Sequence, residues 1–430
     1  MRVHLLILNF NGRRLLAECL PSVVEAARRS RHQCDVAVID NASSDGSVPW
    51  LAEHYPRVEV VRRPNRGLCS YNDVVPGLPG RVAVLLNNDV KLDPGCIDPL
   101  VEPFEKPPTE RPAQGDSPIF AEDSPTEGDS PIFAEDSPTE GDSPIFAEDS
   151  PTEGDSPIFA EDSPTEGDSP IFAARKLGQS PCCSPCCFMA APLCWRFDGR
   201  SYEGFRTAVG WHWGLVRATA LFPGHEPGIR WAGPTASAGA VMAVDCEKFA
   251  ELGGFDPVYL PGRLEDLDLA YRAYLAGYRA VYVPEAVAFH QGMATFAGVY
   301  GEAGCDALAL RNTLLFQWKN LRRARHVLRQ LVGLPVRLAA EVLRAPWTPR
   351  GRRFALAKGL LAALRRVGEL RASEFRGPHN PGREREFFDE FHPRRMRSVV
   401  GQASLPAEAR QMPGPRGLFA RLAGRDACPT

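Results

Sequence analysis

An α/β fold built on a mostly parallel sheet is predicted by three observations. Short apolar runs recur with room for one helix between them. Each run ends in a polar residue. The segment after the first run carries apolar residues at helical spacing. The chain has 430 residues, of which 44% are hydrophobic and 24% charged. These are ordinary values for a soluble globular protein, at a length typical of about two domains. They exclude a wholly disordered or collagen-like chain.

Residues 3–8 are an apolar run closed by Asn9-Phe10-Asn11-Gly12, which reads as a buried strand and a turn. Leu15, Leu16, Cys19, Leu20, Val23 and Val24 then mark one face of a helix reaching Arg28. A second strand, 35–40, ends at Asp40, and the polar loop 41–47 leads into the next helix. A third strand at 58–61 precedes Pro64-Asn65-Arg66-Gly67, and a fourth at 82–86 runs into Asn87-Asn88-Asp89. Strands alternating with helices in this way form a parallel sheet with right-handed crossovers. Ligands bind such sheets at the carboxyl ends of the strands, where Asn9, Asp40, Asn65 and Asp89 fall. Asp40 can accept a hydrogen bond from a nucleobase N–H. Asp89 is a hard oxygen ligand suited to the Mg²⁺ or Mn²⁺ that would hold a diphosphate. No G-x-G-x-x-G follows the first strand, which disfavours a dinucleotide site, and no G-x-x-x-x-G-K-[ST] occurs, which excludes a P-loop.

A tandem repeat interrupts this pattern. The unit Gly-Asp-Ser-Pro-Ile-Phe-Ala-Glu-Asp-Ser-Pro-Thr-Glu starts at Gly115, Gly128, Gly141 and Gly154, with a partial copy at Gly167. Its period of 13 residues matches no solenoid. With two prolines, four acids and only Ile-Phe as bulky apolar residues, the unit cannot offset its ordering entropy and reads as a disordered acidic loop. Cys182-Cys183-Ser184-Pro185-Cys186-Cys187 follows without the paired spacing of a zinc site. Residues 107–187 are therefore expected to interrupt one domain at a single loop, a tolerated insertion rather than an interaction arm.

The apolar pattern resumes with strands at 188–195 and 239–244, then Gly253-Gly254-Phe255-Asp256. A helix is predicted from about 264, where Leu264, Leu267, Tyr271 and Leu275 share a face and Glu265-Asp266 opens its first turn. Asp268 is expected to pair with Arg272 one turn on. Gly277 ends the helix, a strand begins at 280, and Phe289-His290-Gln291-Gly292 closes the block.

These motifs resemble family 2 glycosyltransferases, most of all their rhamnosyltransferase-like branch. The signatures are N-F-N-G, V-I-D-N-A-S-S-D-G-S, N-R-G with Asn72, and L-N-N-D-V. G-G-F-D, E-D-L-D-L-x-x-R, A-G-Y, V-P-E-A and H-x-G then follow in order. The resemblance implies a GT-A fold: a mostly parallel, Rossmann-like sheet flanked by helices. It implies inverting transfer of a sugar from a nucleotide-diphosphate donor, with dTDP-rhamnose favoured, to a surface polysaccharide or lipid-linked glycan. It assigns donor binding to Asn9, Asn11, Asp40, Asn65, Gly67, Asn72 and Asn88. Asp89 would hold Mg²⁺ or Mn²⁺, with His290 as a further metal ligand or a contact to the diphosphate, and the Glu265-Asp266 pair would supply the general base, Asp266 being favoured. Asn87-Asn88-Asp89 stands where the family has D-x-D, with only its last position acidic. Trp211, Trp213 and Trp231 would fall on the acceptor side, where stacking on sugar and core packing are both open readings.

Four segments are thus expected: 1–106, the nucleotide-sugar half; 107–187, the repeat and cysteine-rich segment; 188–318, the acceptor half; and 319–430, a basic helical extension. The extension holds 24 Lys+Arg against 9 Asp+Glu. Helices near 321–343 and 354–370 carry apolar residues at helical spacing with arginines between. They read equally as peripheral membrane elements and as a pair packed on the catalytic body. The last 50 or so residues are expected to be partly disordered. No nucleic-acid motif accompanies the charge. With no run of 18 apolar residues and no signal peptide, the expected location is cytoplasmic or on the inner face of the membrane. Two rivals remain: a catalytically impaired glycosyltransferase-like protein with an interaction role, and a sugar nucleotidyltransferase. The latter would want a Gly-rich, basic loop after the first strand.

Overall fold

The computed structural model describes residues 1–105, 187–204, 206–222, 227–292, 294–349, 352–373 and 380–402. The chain divides into two units, residues 1–109 with 184–430 and residues 110–183. The acidic repeat and the cysteine-rich segment before Cys187 lie outside the described residues.

Before the repeat the order is β1 (Arg2–Asn9), α1 (Arg13–Arg29), β2 (Gln33–Asp40), α2 (Ser47–His54), β3 (Glu59–Arg62), β4 (Val82–Asn87), β5 (Val90–Leu92) and α3 (Ile97–Glu105). After it come β6 (Cys187–Arg196), β7 (Thr207–His212), β8 (Leu215–Ala220), β9 (Gly233–Pro234), β10 (Val241–Asp245), α4 (Cys246–Glu251), α5 (Glu265–Ala276) and β11 (Arg279–His290). The remaining helices are α6 (Ala294–Asn320), α7 (Ala324–Arg344), α8 (Ala355–Arg365), α9 (Val367–Ala372), α10 (Pro381–Glu390) and α11 (Pro393–Gln402).

The main sheet has the order β3-β2-β1-β4-β10-β6-β11-β5, with β9 on β11. The first four strands are parallel. β10 runs antiparallel to both β4 and β6, and β6 pairs parallel with β11. β1, β4 and β10 are buried on both faces, which is why they read as unbroken apolar runs. The segments flanking the repeat therefore contribute to one sheet. A second sheet is the β7–β8 hairpin, whose two-residue loop Trp213-Gly214 has positive φ at both positions, as a tight hairpin turn requires.

α5 lies between two cores. Leu269, Ala270 and Ala273 join the core around the parallel strands. Leu267, Tyr271 and Leu275, the face read from the sequence, join a second core. Gly277, at φ +102, terminates the helix in the left-handed region. The second core also takes Leu314, Leu315 and Phe316 from α6, Leu356 and Ala363 from α8, and Phe387, Phe388, Phe391 and Met396 from the last helices. The boundary expected at 318/319 falls inside α6, and Lys319 is fully buried. The helix expected at 354–370 is two, α8 and α9. Of the last 50 residues, 381–390 and 393–402 are helical, and 403–430 lie outside the described residues. No helix among the described residues is long and apolar enough to cross a membrane.

Candidate active site

Parallel register sets the first cluster. β1 and β2 pair Asn9 with Asp40, and β1 and β4 pair Leu8 with Asn87. The carboxyl ends of three strands therefore meet. Asn9 is fully buried there. Its Nδ2 donates to Asp40 Oδ1 and to Ser43 Oγ, both at 3.2 Å, and its Oδ1 accepts from Asn88 Nδ2 at 2.9 Å. Asp40 Oδ2 accepts from the Ser43 backbone N–H at 3.1 Å. Asn11, at φ +47, donates its backbone N–H to Ser43 Oγ and accepts the Ser44 N–H on Oδ1. Gly12 has a steric reason: a Cβ there would lie 2.0 Å from Asn88 Nδ2 and 2.6 Å from Asn9 Oδ1. Asn9, Asn11, Asp40 and Asn88 thus form one linked set.

The other expected donor residues serve the backbone around that set. Asn65 Oδ1 accepts the Gly67 N–H at 3.2 Å, and the Gly67 carbonyl accepts from Asn41 Nδ2 at 3.1 Å. Asn72 spends both amide atoms on Phe255, accepting its N–H at 2.9 Å and donating to its carbonyl at 2.8 Å. That pair of bonds ties the Gly67–Asp73 turn to the Gly253-Gly254-Phe255 loop.

A second cluster forms where β5 pairs antiparallel with β11, His290 opposite Val90. Asp89 Oδ1 lies 3.3 Å from His290 Nε2, and the other ring nitrogen lies 3.5 Å from Glu203 Oε1. Arg196 Nε sits 2.9 Å from Glu203 Oε2. Burial works against the charged imidazole, but Asp89 and Glu203 outweigh it and raise the His290 pKa to about 9. Glu203 is carried there by the chain's return past β6, where its N–H donates to the Cys194 carbonyl. Gly292, at φ +72, leaves it room, since a Cβ would lie 2.6 Å from Glu203 Oε1. Nothing in the spacing around Glu203 signals this position.

The carboxylate pair opens α5. Leu264 and Arg263 before it both have positive φ, +66 and +83. Asn312 of α6 holds this loop, its Nδ2 lying 2.8 Å from each of the Tyr259, Gly262 and Arg263 carbonyls. Burial, then the neighbouring Asp266 charge, pushes the Glu265 carboxyl above the usual range. Burial also raises Asp266, against hydrogen bonds from the Leu267 N–H and the Ser237 hydroxyl. A pair so placed keeps one proton easily and leaves one carboxylate free to accept another. Ser237 lies on the segment leading to β10, and the carbonyl of Ala240 on that segment accepts the Asn87 N–H at 3.0 Å. By this route the pair connects to the strand end carrying Asn88 and Asp89.

Beneath α5, Asp268 pairs with Arg272 at 2.8 Å, as read from the sequence, and further bonds come from Lys319, Asn320 and Tyr259. Lys319 also lies 2.7 Å from Asp256. Trp211 packs at a tilt against His326 and Phe388 at centroid distances of 4.9 and 5.3 Å, while Trp213 is exposed.

Among the described residues no three His, Cys, Asp or Glu side chains converge as a metal-holding group. Asp89 and His290 offer one oxygen and one nitrogen. Holding a divalent cation there would require His290 to give up its proton, with water and phosphate filling the remaining positions.

Residues 5–114 match the model of the glycosyl transferase family 2. A comparison with curated proteins finds no match. Among solved structures, GalNAc-T7 with UDP, GalNAc and Mn²⁺ aligns at 14% identity and TM-score 0.44, covering 94% of this chain and 58% of that one. The mannosyltransferase PcManGT of Pyrobaculum calidifontis, in complex with GDP-Man and Mn²⁺, aligns at 14% identity and TM-score 0.37, covering 98% and 80%. S. aureus TarS 1–349 aligns at 12% identity and TM-score 0.38, covering 94% and 93%. The match to the glycosyl transferase family 2 model thus spans the segment from β1 through α3 of a GT-A-like fold.

Proposed function

We propose that the chain transfers a sugar from a nucleotide-diphosphate donor to a glycan hydroxyl, with inversion at the anomeric carbon. The observation that carries this is the linked set Asp40–Asn9–Asn88 at the carboxyl ends of β2, β1 and β4, with Asp89 next in sequence. This is where a sheet of this kind receives a nucleotide, and it lies within the family match. Asp40 reads the base with the lone pairs that Asn9 and Ser43 leave it. Asp89 and His290 would hold Mg²⁺ or Mn²⁺, for which His290 would have to give up its proton. The cation, when bound, neutralises charge on the departing diphosphate.

Asp266 takes the acceptor proton as the hydroxyl oxygen attacks. Its raised pKa makes it a stronger base than an exposed carboxylate, and the protonated Glu265 beside it adds no competing charge. The favoured donor is dTDP-rhamnose, and the favoured acceptor is a surface polysaccharide or lipid-linked glycan.

A panel of sugar nucleotides with Mn²⁺ tests the reading. Release of nucleoside diphosphate from one donor is expected. Asp89→Ala and Asp266→Ala should each lower transfer by roughly 100-fold or more. If no donor releases nucleoside diphosphate, the disabled-protein rival takes its place. A variant near the parent rate would remove that residue from its role.

A further inference from the structure

α7 carries apolar residues on two sides. Toward the body it presents His326, Gly333, Leu334, Arg337, Leu338 and Glu341, the two leucines packing on the second core. His326 is buried and pairs with Glu384 at 2.6 Å. Gly333 touches the β7–β8 turn so closely that a Cβ would lie 2.4 Å from the Trp213 carbonyl oxygen. Arg337 donates to the His212 carbonyl. Glu341 accepts the Leu356 and Ala357 N–H groups at the start of α8, at 2.7 and 3.0 Å. These anchors fix the rotation of the helix about its axis.

The side turned outward is apolar as well. Leu328, Leu331, Val332 and Leu343 recur there at helical spacing, with Leu331 66% and Leu343 72% exposed. Trp347, just past the helix end, is 83% exposed, and Leu361 of α8 is exposed as well. An apolar stripe of this extent on one surface marks an interaction site.

Charge decides the occupant. Between Arg322 and Ser373 the chain holds thirteen Arg and Lys against Glu341 and Glu369. Glu341 is committed to the start of α8, and Glu369 lies 2.5 Å from Arg366. Arg325, Arg329, Arg344, Lys358 and Arg365 are exposed. A second copy of the chain would bring the same positive surface against itself. An anionic lipid bilayer offers both what the stripe lacks and the opposite charge, and a tryptophan beside an apolar stripe suits the headgroup level.

We propose that α7 and α8 form a peripheral docking surface for an anionic lipid bilayer, the outward stripe of α7 entering the acyl region and the flanking arginines and Lys358 facing lipid phosphates. This goes beyond the transfer reaction and does not depend on it. The full chain should co-sediment with vesicles of phosphatidylcholine plus phosphatidylglycerol, bind vesicles of phosphatidylcholine alone far less, and be released by salt.

Leu331→Ser combined with Leu343→Ser should lower partitioning by roughly tenfold. Both residues are exposed, so the circular-dichroism melt and donor hydrolysis in the absence of vesicles should not change. No binding to anionic vesicles, or equal binding by parent and double variant, overturns the proposal. So does a concentration-dependent dimer that the double variant abolishes while vesicle binding stays unchanged, since that assigns the stripe to a second copy.

Discussion

The two halves of the candidate site are held by different means. In the first, Asn9, Asp40 and Asn88 sit at the ends of adjacent strands, so strand register alone brings them within hydrogen-bond reach. In the second, the Glu265-Asp266 pair depends on residues far along the chain. Asn312 fixes the loop before it, and Lys319 and Asn320 bond to Asp268 one turn later in α5. The first half is organised by the sheet, the second by packing of the C-terminal helices. The helices after β11 therefore help to build the candidate catalytic centre.

The largest expected effect comes from removing the charge that joins those helices to α5. Lys319 is fully buried and neutralises both Asp256 and Asp268. Lys319→Met leaves those carboxylates short of a partner in a dry interior, which should cost about 3–5 kcal/mol in urea unfolding. Asn9→Ala breaks three side-chain bonds between neutral or singly charged groups and should cost about 1–3 kcal/mol. If Asn9→Ala proved the more destabilising, the contrast between a register-held and a packing-held half would be reversed.

Acid should separate the halves next. Burial alone would raise the Asp268 carboxyl, but Lys319 and Arg272 hold it down at about 2. An unfolded aspartate titrates near about 3.9. A folded-state pKa below the unfolded one gives stability that is present above the unfolded value and disappears as pH falls through the folded one. Asp268 should thus supply about 2–3 kcal/mol that is lost between about pH 4 and pH 2. Urea midpoints measured across that window should fall more steeply for the parent chain than for Asp268→Asn. Parallel slopes would mean that the Asp268 network carries no acid-labile stability.

The same contrast explains what was legible in the sequence. β1 and β4 stand out because strands buried on both faces are short apolar runs, β2 does so through its buried second half, and the three end at or beside Asn9, Asn88 and Asp40. The α5 face and the Asp268–Arg272 pair follow from local spacing. α6 leaves no such trace. Residues 311–317 are all buried, Arg311, Asn312 and Gln317 among them, so polar residues occupy inward positions and no clean stripe forms. Glu203 and Asn312 were not legible for a related reason. Their partners, His290 and the 259–263 carbonyls, are about 50 to 90 residues distant, and only the fold brings them together.

Asn312 gives the finest test, because its effect on stability should be modest and its effect on the site specific. Its single amide nitrogen serves three carbonyls on the loop that carries Arg263 and Leu264 through positive φ. Asn312→Ala removes those donors and should cost about 2 kcal/mol. It should also let the start of α5 relax, lowering transfer turnover while the donor KM, set by the strand ends of the first half, stays near its parent value. Asn312→Asp should be worse on both counts, since a carboxylate would face three carbonyl oxygens where a donor is needed. If the aspartate variant were as stable and active as the alanine one, these bonds would not be what holds the loop. The second half of the site would then owe its shape to apolar packing alone.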